Sequence, residues 1–79
     1  MSAAGDLLFF LARRIVDDPE SVRVEELESD GDLVLRLHVA AGDRGKVIGR
    51  RGRMVQALRT LVRAAGARAE RRVQLEIAD

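Results

Sequence analysis

Seventy-nine residues, 47% of them hydrophobic, suffice for one domain with a small core, near the size at which burial only just offsets chain entropy. The absence of cysteine excludes a disulfide staple and a thiolate metal site, and makes a cytoplasmic chain the easier expectation. A net charge of +1 conceals a polarity: residues 1–43 carry four Arg against ten acidic residues (net −6), and residues 44–79 carry ten Lys plus Arg against three acidic residues (net +7), so the second half suits an anionic partner.

The first element is a helix from Asp6 to Val16, with Leu7, Leu8, Leu11 and Ile15 on one apolar arc, stopped by Asp17-Asp18-Pro19. Its apolar run, Leu7 to Ala12, is too short to span a bilayer and lacks the leader of a signal peptide, so no membrane insertion is expected. Phe10 falls nearly opposite the centre of the arc. Val22 and Val24 begin a strand whose alternation slips at Glu26-Leu27, which suggests a bulge or an edge position. After the turn residues Ser29-Asp30-Gly31-Asp32, Leu33, Leu35, Leu37 and Val39 alternate with Val34, Arg36 and His38, and the two strands read as a hairpin. A short helical segment, Arg44 to Ile48, leads to Gly49-Arg50-Arg51-Gly52. Beyond it Met54, Leu58, Leu61 and Ala65 form a helical stripe widened by Val55 and Val62, with Gln56, Arg59 and Arg63 on the other side and Gly66 as a stop. Val73, Leu75 and Ile77 alternate as a last strand.

The Gly-Arg-Arg-Gly turn carries the functional argument. Glycine lacks a Cβ, so it takes positive φ and lets another chain approach closely, and a helix N-terminus beyond it offers unpaired N–H groups to an anion. Arg50 and Arg51 at the tip, with Lys46 before and Arg53 after, match a sugar-phosphate backbone. Val47 and Ile48 would pack or form a base-facing groove. The order of elements and the segment KVIGRRGRMVQALR resemble the KH domain, in its type II bacterial arrangement, over nearly the whole chain.

That resemblance implies an α/β (α+β) fold of order αββααβ over residues 1–79, a three-stranded sheet with three helices on one face. It also implies non-catalytic binding of single-stranded RNA, the GxxG loop clamping about four backbone nucleotides. Gly49, Arg50, Arg51 and Gly52 match that loop, Val47 and Ile48 its apolar lead-in, and Lys46 and Arg53 its basic flanks. An RNA chaperone or post-transcriptional regulator is implied, as is self-association or pairing with a larger Jag-type KH protein in cell-envelope growth and division. An adaptor working mainly through that partner is the alternative. Phe10, Met54, Val55 and Val62 are the apolar residues to expect at such a contact. No cofactor is implied.

Rival chemistries lack their residues. There is no Gly-Lys-Ser/Thr of a phosphate-binding loop, and Gly45, Gly49 and Gly52 have the wrong spacing for a dinucleotide fingerprint. The lone His38 reads as a solvated strand residue rather than a catalytic base. Glu25, Glu26, Glu28, Asp30 and Asp32 read as charge protecting an exposed strand edge rather than as metal ligands. Phe9 and Phe10 are the only aromatic residues, too few and misplaced for a module that stacks bases on strands.

Overall fold

The computed structural model describes residues 1–79. Helix α1 spans Ala3–Ile15, starting earlier than the leucine pattern suggests because Ser2 caps it: the Ser2 hydroxyl accepts the Gly5 N–H at 2.9 Å. Asp6 in the first turn and Arg13 and Arg14 in the last match the helix dipole. The buried stripe is Ala4, Leu8, Ala12 and Val16, whereas Leu11 and Ile15 are half-buried. The core face is therefore rotated away from Leu7 and towards two alanines, which let α1 lie close to its neighbours. Pro19 then starts a short turn, Pro19–Ser21.

Strands β1 (Arg23–Ser29) and β2 (Asp32–His38) form an antiparallel hairpin. Asp30 and Gly31 both have positive φ (52° and 85°), as the two-residue turn matching strand twist requires. Pairing runs unbroken from Ser29↔Asp32 to Arg23↔His38, so β1 is an edge strand without a bulge. The slip at Glu26-Leu27 has another cause. Glu26 lies opposite the inward-facing Leu35, on the helix-covered side, and its Oε2 accepts the Ser2 N–H and hydroxyl, both at 2.8 Å. The carboxylate thus reinforces the cap of α1. Gly5 leaves room for it, since a Cβ there would collide with that same oxygen.

Strand β3 (Val73–Ile77) lies parallel to β2, with Leu33↔Val73, Leu35↔Leu75 and Leu37↔Ile77 in register, giving the sheet order β1-β2-β3. Parallel neighbours need a crossover. Here it contains helix α2 (Arg44–Ile48), the glycine turn and helix α3 (Arg53–Arg68). The three helices cover the face that presents Leu33, Leu35, Leu37, Val73 and Leu75, and Leu8, Ala12, Val47, Leu58 and Val62 complete the core.

The stripe of α3 is also rotated from expectation: Val55, Leu58, Val62 and Gly66 are buried, while Met54 and Leu61 are 36% and 45% exposed. Gly66 is not a stop but lies inside the helix, where a Cβ would collide with Val73 Cγ2, so it is the point at which α3 rests on β3. The helix ends at Arg68, with Ala69 as its C-cap, and Glu70 just beyond takes the left-handed conformation (φ 57°), its N–H bonded to Ala67 O at 3.0 Å and the Arg71 N–H to Gly66 O at 2.8 Å.

Candidate nucleic-acid interface

The Gly-Arg-Arg-Gly turn reverses the chain by three positive φ values within four residues: 79° at Gly49, 57° at Arg51 and 73° at Gly52. The two glycines are not equivalent. Gly49 (φ 79°, ψ 171°) ends α2, its N–H bonded to Gly45 O at 2.8 Å, and an added Cβ would stand 2.6 Å from Met54 Cβ and 2.8 Å from Met54 N. It needs both the dihedral and the space. Gly52 needs only the dihedral, since a Cβ there would meet nothing closer than Val55 Cγ1 at 3.9 Å. The next residue, Arg53, opens α3; its N–H is taken by Arg50 O within the turn, and no side chain caps the helix.

Arg50, Arg51 and Arg53 are exposed, and none is paired with a carboxylate. The other residues singled out in the sequence are placed differently. Lys46 forms an exposed ion pair with Asp17 at 3.2 Å, which turns its charge towards the end of α1. Val47 has no accessible surface, so of its two alternatives it takes packing. Ile48, by contrast, is 36% exposed beside the turn.

One residue with a positioning role was not assigned it from sequence. Asp43 is only 4% exposed, and its carboxylate accepts the N–H of Asp17 at 3.2 Å and of Asp18 at 3.0 Å. An Asp before a helix suggests a cap, yet Asp43 caps nothing in α2. It fastens the entry of α2 to the exit of α1, and so holds the support of the glycine turn.

The acidic residues of the hairpin are dispersed. Glu25 accepts a hydrogen bond from His38 Nε2 at 3.0 Å, and Arg36 lies between Glu25 (3.7 Å) and Glu76 (3.2 Å) on the uncovered face of the sheet. The His38 hydrogen bond, helped by Arg36, holds the Glu25 carboxyl below its ordinary value of 4.5. Glu26 serves α1, Glu28 pairs with Arg71 at 3.4 Å, and Asp32 accepts from Gln74 at 3.0 Å. Charge protection of an edge thus accounts for only part of the cluster. No group of three or more His, Asp or Glu side chains converges as metal ligands would.

Comparison with known proteins agrees with this architecture. Residues 5–77 match the family model described as KhpA/KhpB, KH domain. The chain is 44% identical over 73 residues to an RNA-binding protein KhpA of Caldanaerobacter subterraneus subsp. tengcongensis, covering 92% of this chain and 97% of that one. It is 45% identical over 74 residues to the RNA-binding protein KhpA of Bacillus subtilis, covering 94% and 91%. Among solved structures, Aquifex aeolicus Era aligns with 94% of this chain and 29% of its own, at TM-score 0.62 and 20% identity, a likeness of fold.

Proposed function

From the premise that the chain belongs to the KhpA/KhpB KH-domain family, we propose that it binds single-stranded RNA without catalysis, through the glycine turn. The observation that supports this most directly is the left-handed turn that brings three unpaired arginines to the uncapped start of α3. Gly49 and Gly52 let a phosphate approach the backbone, the α3 N–H groups beyond Arg53 receive it, and Arg50, Arg51 and Arg53 neutralise it and its neighbours. Ile48 offers an apolar surface to a base, with Val47 supporting it from the core. Lys46 joins once phosphate competes with Asp17, since an exposed ion pair is held by about 1 kcal/mol at most.

The role that follows is that of a cytoplasmic RNA chaperone or post-transcriptional regulator. No helix is long and apolar enough to cross a membrane. A clamp of about four nucleotides is a small contact, and a second clamp raises affinity through effective concentration. Phe10, Met54 and Leu61 are the exposed apolar residues that favour pairing, with a second copy or with a larger Jag-type KH protein. Val55 and Val62, expected in the same role, belong to the core.

The test is Arg50→Asp with Arg51→Asp. Both side chains are exposed and unpaired, so the variant folds with a wild-type melt and loses RNA binding. Wild-type binding should weaken with log salt at a slope of about −2 to −3, from three or four phosphates at roughly −0.7 each. Full affinity in the folded variant would overturn the assignment.

A further inference from the structure

Phe9 and Phe10 are neighbours on α1, and each carries an arginine one turn further on. The Arg14 guanidinium lies over the Phe10 ring, its Cζ 4.2 Å from the ring centre, and Arg13 lies over Phe9 at 5.2 Å. Neither arginine has a carboxylate partner. Together with Pro19 these four side chains line an open cleft of about 450 Å³ at the C-terminal end of the helix. Nothing from α2, the glycine turn or α3 lines it.

Core packing explains Phe9, which is half-buried against the hydrophobic cluster, but it does not explain Phe10. A ring has two faces; Arg14 covers one, and Phe10 is still 51% exposed. The helix dipole accounts for the sign of the two arginines and not for their stacking. The lining side chains offer guanidinium N–H donors and no acceptor, so the occupant must be rich in acceptors, and the ring and guanidinium planes call for a flat one. An unpaired nucleotide is both: its base stacks and its phosphate accepts. Two of the carboxylates nearby are turned elsewhere, Asp17 to Lys46 at 3.2 Å and Asp18 to the Ser21 hydroxyl at 2.7 Å. Asp6 and Glu20 remain on the flanks and oppose a run of phosphates, so the base rather than the backbone carries the contact.

We propose that the α1 cleft takes an unpaired RNA base, stacked on Phe10 beside Arg14, with Arg13 on its phosphate, as a second contact separate from the glycine turn. One domain then holds two unpaired stretches of RNA at once, one by its backbone and one by a base. This rests on the reading of the chain as a single-stranded RNA binder and not on the glycine turn as the place of binding. Phe10 cannot serve a protein contact and a base together, so the two compete for it.

The test follows backbone amide signals by NMR while a single-stranded pentanucleotide of randomised sequence is added. The same titration is run with an abasic backbone of equal length and with pentaglutamate. Wild type should show RNA-dependent shifts in two sets, one at the glycine turn and one from Phe9 to Arg14. Arg50→Asp with Arg51→Asp should lose the first set and keep the second, which then weakens with log salt at a slope of only about −0.7, one phosphate. Phe10→Leu keeps the bulk without the ring, and Arg14→Lys keeps the charge without the plane; both residues are exposed, so both variants fold. Each should weaken the second set about tenfold or more and leave the first unchanged. Absence of the α1 shifts in wild type, their loss together with the first set in the Arg50 and Arg51 variant, or indifference to Phe10→Leu and Arg14→Lys would each overturn the α1 contact and leave the clamp standing. Equal α1 shifts with the abasic backbone or with pentaglutamate would overturn it in favour of plain charge or an acidic protein, and α1 shifts that follow protein concentration without RNA would overturn it in favour of a second copy. Glycine-turn shifts that survive Arg50→Asp with Arg51→Asp would overturn the clamp alone.

Discussion

Replacing Gly49 and Gly52 separately by alanine should have unequal effects, although the two glycines share one motif. At Gly52 alanine meets no close neighbour and bears only the left-handed dihedral, φ 73° and ψ 14°, which costs about 1 kcal/mol. At Gly49 the dihedrals, φ 79° and ψ 171°, fall in a region that is nearly glycine-only, at about 1–3 kcal/mol. The new Cβ would also stand 2.6 Å from Met54 Cβ and 2.8 Å from Met54 N, so the first turn of α3 must move. Together these destabilise by roughly 3–5 kcal/mol. In a domain of this size 1 kcal/mol shifts the melting temperature by about 4–8 °C. Gly52→Ala should therefore melt about 4–8 °C below wild type, and Gly49→Ala at least about 12 °C below, if it folds at all. Thermal melts followed by circular dichroism, with urea titrations for the free energies, measure both. Melting temperatures within a few degrees of each other would refute the claim that Gly49 is held by packing as well as by its dihedral.

Three other substitutions probe the supports of the turn and the sheet. Glu70→Gly should stabilise by about 0.5–1 kcal/mol, because glycine adopts the left-handed helix end freely; an unchanged urea midpoint at high salt would count against it. Asp43→Ala leaves the N–H groups of Asp17 and Asp18 without their acceptor and should cost about 2 kcal/mol, read from urea unfolding; a loss under about 0.5 kcal/mol would mean that water replaces the carboxylate. The Glu25 carboxyl titrates lower in the folded chain than its ordinary 4.5, so its contribution is complete above that value and is lost as pH falls through the folded pKa. Glu25→Gln should accordingly show a shallower fall of melting temperature with acidification below pH 4.5, and an acid profile parallel to wild type would exclude Glu25 as a source of that fall.

The order of elements, the Asp30-Gly31 hairpin turn and the position of the glycine turn were legible because each rests on local rules: alternation, two-residue turn chemistry, and glycine where φ is positive. The phase of the two long helices was not. Large apolar residues dominate any periodicity, so Leu7, Met54 and Leu61 drew the stripes towards themselves, whereas Ala4 and Ala12 are the buried residues and Gly66 is the point of close approach to β3. Close packing favours the smallest residues, which hydropathy weighs least. Glu26 looked like a break in the strand because its partner, the start of α1, is distant in sequence. Asp43 and Lys46 were hidden in the same way: both are committed to the end of α1, and nothing within their own segment indicates it. Within the proposed site, the backbone could be read from sequence, and the disposition of its charges could not.

The glycine turn lies within the crossover that joins two parallel strands, and this ties its assembly to the making of the chain. The hairpin of β1 and β2 pairs near neighbours and can form as soon as residue 38 has left the ribosome. Pairing of Leu33 with Val73 must wait for β3, and such distant contacts close a long loop before any gain is returned. Until then β2 has an unpaired edge, α3 has no strand beneath Gly66, and Arg50 and Arg51 lie on a chain without a fixed turn. A nascent chain halted before Val73 should thus be sensitive to protease and unable to hold RNA, even though every residue of the turn is already in place. During translation, competence arrives with the last strand of the sheet rather than with the motif itself.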